Sequence, residues 1–237
     1  MIKQVSLLIL AALSVARLGA AASCVGGTLA GYVALGVDGC TIGNNTLYDF
    51  KVFTAGTAGA TELAASLVNL TPSGGNYNPS LALSVNQTAT APTALETFFT
   101  YDISGTGLVG AFAALSGSSA TVDGAVSGIE NYCLGGSFGA DGVDGCPGSN
   151  GALVTLAIDG FSQNTDSAGF SKVSFINVTN DFTISGGTAG TASAGTFIDS
   201  FAAVPEPAGI ALTGLGLIFS GLCGRAMRRR VPNQKQN

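Results

Sequence analysis

The sequence predicts an all-β fold: a β-sandwich-like antiparallel ectodomain, flanked by an N-terminal signal helix and a C-terminal transmembrane helix. Through the middle of the chain, short alternations of apolar and polar residues recur between Gly, Pro, Asn and Ser, which is typical of sandwich strands. Charged residues make up only 10% of the chain, so the polar faces that surface helices need are scarce. A longer uncharged apolar run lies near each terminus, where a membrane-directed helix is expected.

Residues 1–22 are predicted to be a secretory signal peptide. Lys3 precedes an uncharged apolar run, and Ala20-Ala21-Ala22 supplies the small residues that precede a cut before Ser23. Signal peptidase is therefore an expected partner, and the chain is expected to be exported. Lipidation of Cys24 is the alternative, although a lipobox normally has Leu at the position of Ala21.

Residues 23–203 make up the predicted ectodomain, a length that suits one domain. All but one of the 14 acidic residues of the chain lie here, with two of its nine basic residues, Lys51 and Lys172. With 13 acidic against two basic residues, the net charge of this segment is near −11, which repels nucleic acid and anionic lipid. Most Phe and Tyr residues lie in its apolar runs, which argues against disorder. A folded, acidic, extracellular domain that does not bind nucleic acid is therefore expected.

Strand positions follow from the alternation of apolar residues. The clearest segments are residues 46–53, 81–85, 95–103, 152–158, 172–178, 181–185 and 196–201. Less regular segments are residues 63–70, 108–115, 121–126 and 129–134. In the first strand the alternation places Tyr48, Phe50 and Val52 on one face. Residues 28–35 instead predict a short helix that begins at a Thr28 cap.

Four of the five cysteines fall into two similar units, each of which ends in the pentapeptide G-V-D-G-C. An even number of cysteines in an exported protein indicates disulfides, and four cysteines allow three pairings. The repeat favours Cys24–Cys40 and Cys133–Cys146, each closing a loop of about 15 residues that is worth roughly 3 kcal/mol in the chain-entropy model. Cys223 lies apart, in the C-terminal apolar run.

Metal binding is the alternative use of these two units. The cysteine spacings do not match the short C-x₂₋₄-C spacing of zinc sites. Asp38, Asp141 and Asp144 are flanked by glycine and are candidate calcium ligands, but the alternating oxygen ligands and closing Glu of an EF-hand are missing. Because Asp-Gly pairs are common in turns, the sequence predicts no metal and no cofactor.

Catalytic chemistry is restricted because the chain contains no histidine. Ser-His and Cys-His nucleophiles and His-ligated metals are therefore excluded. Glu62, Glu96 and Glu130 are the candidates for a carboxylate pair of the kind that hydrolyses glycosides. Each lies among small or apolar residues in or beside a predicted strand, and the chain contains no Trp. The sequence therefore predicts no catalytic residues and no enzymatic activity.

Residues 204–230 combine three features in a fixed order. Pro205-Glu206-Pro207 is predicted to be extended, because each proline disfavours helical geometry in the residue before it. Residues 208–224 carry no charge and would span roughly 25 Å as a helix, slightly less than a hydrocarbon core of about 30 Å. The arginines that follow favour a cytoplasmic C-terminus and form a membrane stop signal: Arg225, Arg228, Arg229 and Arg230.

This order of tripeptide, apolar run and arginine cluster resembles the PEP-CTERM sorting signal of bacterial surface proteins. The resemblance implies that exosortase, a membrane enzyme, recognises Pro205-Glu206-Pro207 and cleaves near it after transient anchoring in the inner membrane. The opening of the ectodomain, from Cys24 through Gly39-Cys40 to Asp49-Phe50, also resembles the start of many PEP-CTERM proteins, and this looser resemblance implies an all-β ectodomain without assigned activity. Residues 231–237 are expected to form a disordered tail. A plain C-terminal anchor with a proline-rich stalk is the alternative.

These features together predict a structural protein of the bacterial cell surface or extracellular matrix that is associated with exopolysaccharide. The alternative is a calcium-dependent or glycan-binding module. A binding module should have a concave patch with clustered carboxylates or exposed aromatic rings, whereas a structural protein should have a featureless acidic surface.

Overall fold

The computed structural model describes residues 21–53 and 57–204, and the all-β prediction is confirmed for them. Within these two ranges, no helix is long and apolar enough to cross a bilayer. Most of the predicted signal peptide lies outside the described residues. So do the Pro-Glu-Pro motif, the C-terminal apolar run with its arginines, and the predicted tail, all within residues 205–237.

The described residues contain one short helix among many antiparallel strands. In chain order the elements are β1 (Gly27–Thr28), α1 (Leu29–Val33), β2 (Cys40–Ile42), β3 (Asn45–Phe53), β4 (Thr61–Glu62), β5 (Asn69–Ser73), β6 (Ser80–Ser84), β7 (Thr88–Thr90), β8 (Ala94–Ser116), β9 (Ser119–Thr121), β10 (Ala125–Leu134), β11 (Ser149–Ile158), β12 (Phe161–Gln163), β13 (Thr165–Ser185), β14 (Thr191–Ser193) and β15 (Thr196–Ala203).

Two long strands, β8 and β13, pass through both layers of a β-sandwich-like fold. The front layer is β2-β3-β8-β13-β10-β11-β12 and contains the first half of β8. The back layer is β1-β5-β6-β15-β8-β13 and contains the second half of β8, which pairs with β15. The change of layer coincides with Gly107, which has φ +87°, and with register shifts around Val173 in β13. Glycine permits this conformation because it has no Cβ atom.

The continuity of β8 and β13 corrects the predicted strand boundaries. Residues 95–103 and 108–115 were predicted as separate strands, as were residues 172–178 and 181–185, but each pair forms one strand. Asn180, in the polar break between the second pair, is paired with Phe99 inside the sheet. Its side chain has a hydrogen-bonding partner in the core, which a sequence pattern does not show.

A bulge in strand β3 changes which of its side chains face the core, so the predicted face of this strand is wrong in part. Asp49 has φ +55°, and the register with β8 shifts between Tyr48 and Lys51. A bulge reverses the alternation of side chains beyond it. Leu47 and Phe50 are therefore buried, and Tyr48 is not on the face predicted for it.

Two of the less regular predictions are also corrected. In residues 63–70, strand structure begins only at Asn69 and continues to Ser73, although Leu63 and Val68 are buried. Residues 121–126 contain a turn after β9, so β10 begins at Ala125. No sequence pattern predicted the small sheet β7-β14-β9, because its strands are only three residues long.

The helix and both disulfides agree with the predictions, although the helix is shorter. Gly31 N–H donates to the hydroxyl of the Thr28 cap at 3.2 Å. The cysteine pairs are those that the repeat favours: Cys24–Cys40 and Cys133–Cys146. Each disulfide therefore closes its own loop, as the repeat indicates.

The core lies between the two layers and is rich in aromatic rings. Phe50 stacks on Tyr101 with ring centroids 5.1 Å apart. Phe197 of β15 reaches across from the back layer and packs against Phe182 at 5.9 Å. Contacts of this kind bind the layers together and leave the outer face of each layer available for function.

Candidate functional site

A recess of about 190 Å³ opens on the outer face of the front layer. It lies over neighbouring strands β3, β8 and β13, with the second disulfide loop as its wall. Alternation along the strands directs even-numbered residues of β8 to this face, opposite the core. The lining residues are Asp49, Lys51, Phe53, Thr100, Asp102, Ser137, Phe138, Gly139, Ala140, Gly142 and Asn177.

Asn177 is the centre of the hydrogen bonds at the base of the recess. Its Nδ2 donates to Asp102 Oδ1 at 2.6 Å and to the Tyr101 carbonyl at 3.4 Å. Its Oδ1 accepts from Phe138 N–H at 3.0 Å. The amide thus ties the disulfide loop to β8 and fixes the position of the Asp102 carboxyl.

A lysine and an aspartate stand at the rim. Lys51 Nζ donates to Asp49 Oδ2 at 2.6 Å, and the Lys51 side chain is 58% exposed. Burial raises the pKa of Asp102 above its usual value, and the charge on Asp49 adds to the rise. The hydrogen bond from Asn177 and the charge on Lys51 oppose it. The recess therefore contains a carboxyl group of raised pKa beside one exposed cation.

The wall of the recess depends on a glycine from the repeated pentapeptide. Gly142 has φ +74°, and its carbonyl accepts a hydrogen bond from the Thr179 hydroxyl. A Cβ atom at this position would meet Thr100 at 3.2 Å and Phe53 at 3.4 Å. The loop therefore approaches the sheet as closely as a glycine allows.

A carboxyl pair lies further along the same outer face. Thr183 Oγ1 donates to Asp181 Oδ1 at 3.0 Å and lies 3.5 Å from Glu96 Oε1. Glu96 also accepts from the backbone N–H of Thr57 at 3.0 Å. Burial, followed by the charge on Glu96, raises the pKa of Asp181 to about 6. Glu96 itself is completely buried.

A second carboxyl pair lies inside the core. Glu130 of the front layer is completely buried, and Asp199 of the back layer is 2% exposed. Asp199 Oδ2 accepts from Tyr101 Oη at 3.1 Å and from Asn180 Nδ2 at 2.6 Å. In the described part of the chain, no donor reaches Asp199 Oδ1 or either carboxyl oxygen of Glu130. Burial, followed by the charge on Asp199, raises the pKa of Glu130 well above its usual value, and a proton kept by the Glu130 carboxyl would supply the missing donor to Asp199.

The three glutamates considered as catalytic candidates are not brought together. Glu96 faces outward from the front layer and Glu130 faces inward, because the registers of β8, β13 and β10 place them on opposite faces. Glu62 is exposed on β4. Each buried glutamate is instead paired with an aspartate that the sequence did not single out.

The calcium candidates are divided between the two disulfide loops. Asp38 is exposed in the first loop. In the second, Asp141 Oδ1 accepts from the N–H groups of Val143 and Asp144, both at 3.1 Å, and these bonds lower its pKa. Residues 21–53 and 57–204 contain no group of three metal-ligating side chains. Asp141 therefore has a local role in a turn.

Sequence reasoning missed the residues that form the recess. One signal was available: Asp102 and Asn177 interrupt apolar alternations, and a polar residue in such a position usually needs a specific partner. Their pairing on adjacent strands, and their contact with the loop at Phe138, depend on register and could not be derived from spacing.

The fold and site define a disulfide-containing β-sandwich-like domain with a polar recess. No protein-family model and no curated relative matches the sequence. Among solved structures, the chain is similar to tailspike protein 4 of bacteriophage CBA120, with 14% identity and a TM-score of 0.25 over 67% of this chain and 19% of that one. The chain thus spans about a fifth of the length of the tailspike domain.

Two further likenesses cover most of the other chain. TmCBM61, solved in complex with β-1,4-galactotriose, is 15% identical with a TM-score of 0.22, covering 68% of this chain and 88% of that one. Trichoderma harzianum endoglucanase 3 from family GH12 is 10% identical with a TM-score of 0.23, covering 66% and 96%. At these scores the likenesses carry no argument about function.

Proposed function

We propose that this chain is an exported bacterial surface or extracellular-matrix protein whose recess binds a neutral glycan without cleaving it. The observation that carries the proposal is the convergence of Asp102, Asn177 and Lys51 with aromatic rings in one recess. A structural protein with a featureless acidic surface would not need this arrangement.

The side chains of the recess match the chemistry of a sugar. Sugar hydroxyls both donate and accept hydrogen bonds, and the carboxylates of Asp49 and Asp102 accept while the Lys51 ammonium donates. Phe53 and Phe138 are partly exposed at the recess and offer apolar surface to the C–H groups of a sugar ring. The volume is smaller than the roughly 300–1,000 Å³ of most ligand pockets. It suits one unit of a polymer.

Charge favours a neutral glycan over an anionic glycan or a cation. The segment that contains the recess has a net charge near −11 from 13 acidic and two basic residues, which repels uronic acids and other anions. The Lys51 ammonium pairs with Asp49, which reduces the negative charge available to a cation in the recess. The calcium-dependent version of the binding alternative therefore has less support than the calcium-independent one.

Burial of the carboxyl pairs supports a binding role without catalysis. Glycoside hydrolysis needs an acid and a second carboxylate on opposite sides of the bond that breaks. Glu96 is buried beneath the backbone of Thr57. Glu130 and Asp199 are enclosed between the layers, where a polymer does not reach them.

Removing single charges from the recess tests glycan binding. Lys51→Met and Asp102→Asn are each expected to raise the Kd for a neutral polysaccharide by roughly tenfold, because a hydrogen bond to a charged group contributes about 1.5–3 kcal/mol to binding. Asp38→Asn, which removes an exposed carboxylate elsewhere, is the matched control and should bind as the wild type does. Affinity electrophoresis against neutral and uronic-acid polysaccharides gives the Kd values. Unchanged binding in both recess variants would refute the assignment of the site.

Export and sorting form the second part of the proposal. Two disulfides persist in an oxidising compartment, which supports a location outside the cytoplasm. The last described residue of the sandwich, Val204, directly precedes Pro205-Glu206-Pro207. We infer that the C-terminal segment anchors the precursor in the inner membrane and that exosortase cuts near Glu206, releasing the ectodomain to the surface or an exopolysaccharide matrix.

Replacing Pro205-Glu206-Pro207 with three alanines tests the sorting step. Insertion should be retained, because the apolar run and arginines are unchanged, while release from the membrane should fall to the level of a strain without exosortase. Pro232→Ala, a proline outside the motif, is the control and should be processed normally. The size and membrane fraction of an epitope-tagged ectodomain report the result. Normal maturation of the triple variant would leave only a simple tail anchor.

A further inference from the structure

In the part of the chain that the structure describes, the outward residues of the back layer include no acidic side chain, although the domain is strongly acidic. The registers of β5, β6, β15, β8 and β13 identify the outward residues, here called the neutral face. They are Asn69, Thr71, Ser73, Ser80, Ala82, Ser84, Gly110, Phe112, Ala114, Ser116, Thr165, Ser167, Gly169, Thr196, Ile198, Ser200 and Ala202. All except Gly110 are at least partly exposed.

Several hydroxyls of the neutral face already have partners within the sheet. Ser80 Oγ lies 2.8 Å from Ser200 Oγ and donates to the Asp199 carbonyl at 3.0 Å. The hydroxyls of Ser84 and Thr196 lie 3.1 Å apart. Covering these groups costs little, because their hydrogen bonds do not depend on water.

The neutral face contains both a projection and a groove. Phe112 is 39% exposed and borders a groove of about 410 Å³. Gly110, Gly169 and Ala202 line the groove, so no large side chain fills it. Tyr77, which is 56% exposed, stands at the rim. A groove of this size accepts an aromatic ring.

We propose that the neutral face is the interface of a homodimer, with Phe112 of each copy inserted into the groove of the other. A two-fold axis requires a surface that is complementary to itself, and a projection beside a groove satisfies this requirement. The face is also the surface on which two copies of a chain with this acidic excess meet without opposing carboxylates. Small side chains allow two sheets to pack about 10 Å apart.

The dimer leaves the glycan recess free. The recess is on the front layer and the neutral face on the back layer, so both recesses of a dimer point outward. The dimer therefore presents two sites, which increases avidity for a polymer if the proposed recess binds glycan. The interface itself does not depend on that function, because it uses different residues.

Mass photometry and sedimentation of the full chain in mild detergent test the interface. The wild type should shift from monomer to dimer with concentration. Phe112→Ser and Ala202→Glu should each raise the dimer Kd on the order of tenfold or more, the first by removing the projection and the second by opposing two carboxylates. Phe161→Ser is the control, because Phe161 is 55% exposed on β12, away from the neutral face. Residues 205–237 are the same in every variant, so any contribution from them cancels.

Two results would overturn the proposal. One is a wild type with the mass of a monomer at every concentration. The other is dimerisation of Phe112→Ser and Ala202→Glu with the Kd of the wild type, with native circular dichroism confirming that both are folded. In the first case, retention of the monomeric wild type on an insoluble neutral glycan, lost in Phe112→Ser, would assign the face to a polymer.

Discussion

The free energy of unfolding is expected to fall as the pH rises from about 4 to about 7, and Glu130→Gln is expected to remove a large part of that fall. Glu130 and Asp199 are buried together between the two layers. Burial and the charge on Asp199 raise the pKa of Glu130 well above its usual value, and burial raises the pKa of Asp199 to about 6. Asp199 accepts hydrogen bonds from Tyr101 and Asn180, so it loses its proton before Glu130 does.

The direction of the pH dependence follows from these raised values. An unfolded Asp or Glu has a pKa near 4. A group with a higher pKa in the folded state binds more protons there, so its stabilisation is complete below about pH 4 and is lost as the pH rises through the folded pKa. For Asp199 this loss is on the order of 2 kcal/mol between pH 4 and pH 7.

Urea unfolding of the wild type and Glu130→Gln at pH 4.5 and pH 7.5 measures the effect. Gln keeps the shape and can donate to Asp199 Oδ1 without a carboxyl proton, so stability at pH 7.5 should be unchanged or higher. The remaining pH dependence should come from Asp199, whose pKa burial still raises, and from Asp181, whose pKa burial and then the charge on Glu96 raise to about 6. Glu62→Gln, at an exposed glutamate, should match the wild type. A wild type that is more stable at pH 7.5 than at pH 4.5 would contradict the assignment of a proton to Glu130.

Gly128→Val is expected to destabilise the protein by roughly 3 kcal/mol or more through overpacking of the core. Gly128 is buried in β10, directly below the ring of Phe197 from the back layer. A Cβ atom there would lie 2.4 and 2.5 Å from two ring atoms of Phe197 and 2.9 Å from Thr155 Oγ1. The layers would have to separate locally to accept a larger side chain, because packed cores deform little.

Thermal unfolding of three variants distinguishes overpacking from a general cost of replacing glycine in a strand. Gly27→Val is the matched control in β1, where the nearest atom to an added Cβ is 3.9 Å away; its Tm should change little. Adding Phe197→Leu to Gly128→Val should recover part of the loss, since the two substitutions affect the same contact. Equal destabilisation by Gly128→Val and Gly27→Val would exclude the packing explanation.

Much of the local structure could be predicted because it depends on neighbours in sequence. The alternation of apolar and polar residues predicted the central strands. The helix begins at Thr28 as predicted, because the Thr28 hydroxyl accepts a hydrogen bond from Gly31 N–H. The repeated pentapeptide favoured the two disulfides that the structure contains. The errors occurred where one residue changes the alternation, as at Asp49, or where polar residues such as Asn180 continue a strand because the core supplies their partners.

The sequence by itself determined an all-β domain with strong acidic charge, two separate disulfide loops and no histidine-dependent chemistry, because composition and short-range spacing are sufficient for these properties. Only the tertiary structure decided which polar residues meet. Asp102 and Asn177 are far apart in the chain and share a hydrogen bond because of the register of β8 and β13. Glu130 and Asp199 come from opposite layers, and Phe112 borders its groove only after β13 and β15 pair with β8. Register and layer packing depend on residues that are far apart in the sequence, so local patterns do not determine them. A shift of one residue in register would turn these side chains to the other face of the sheet.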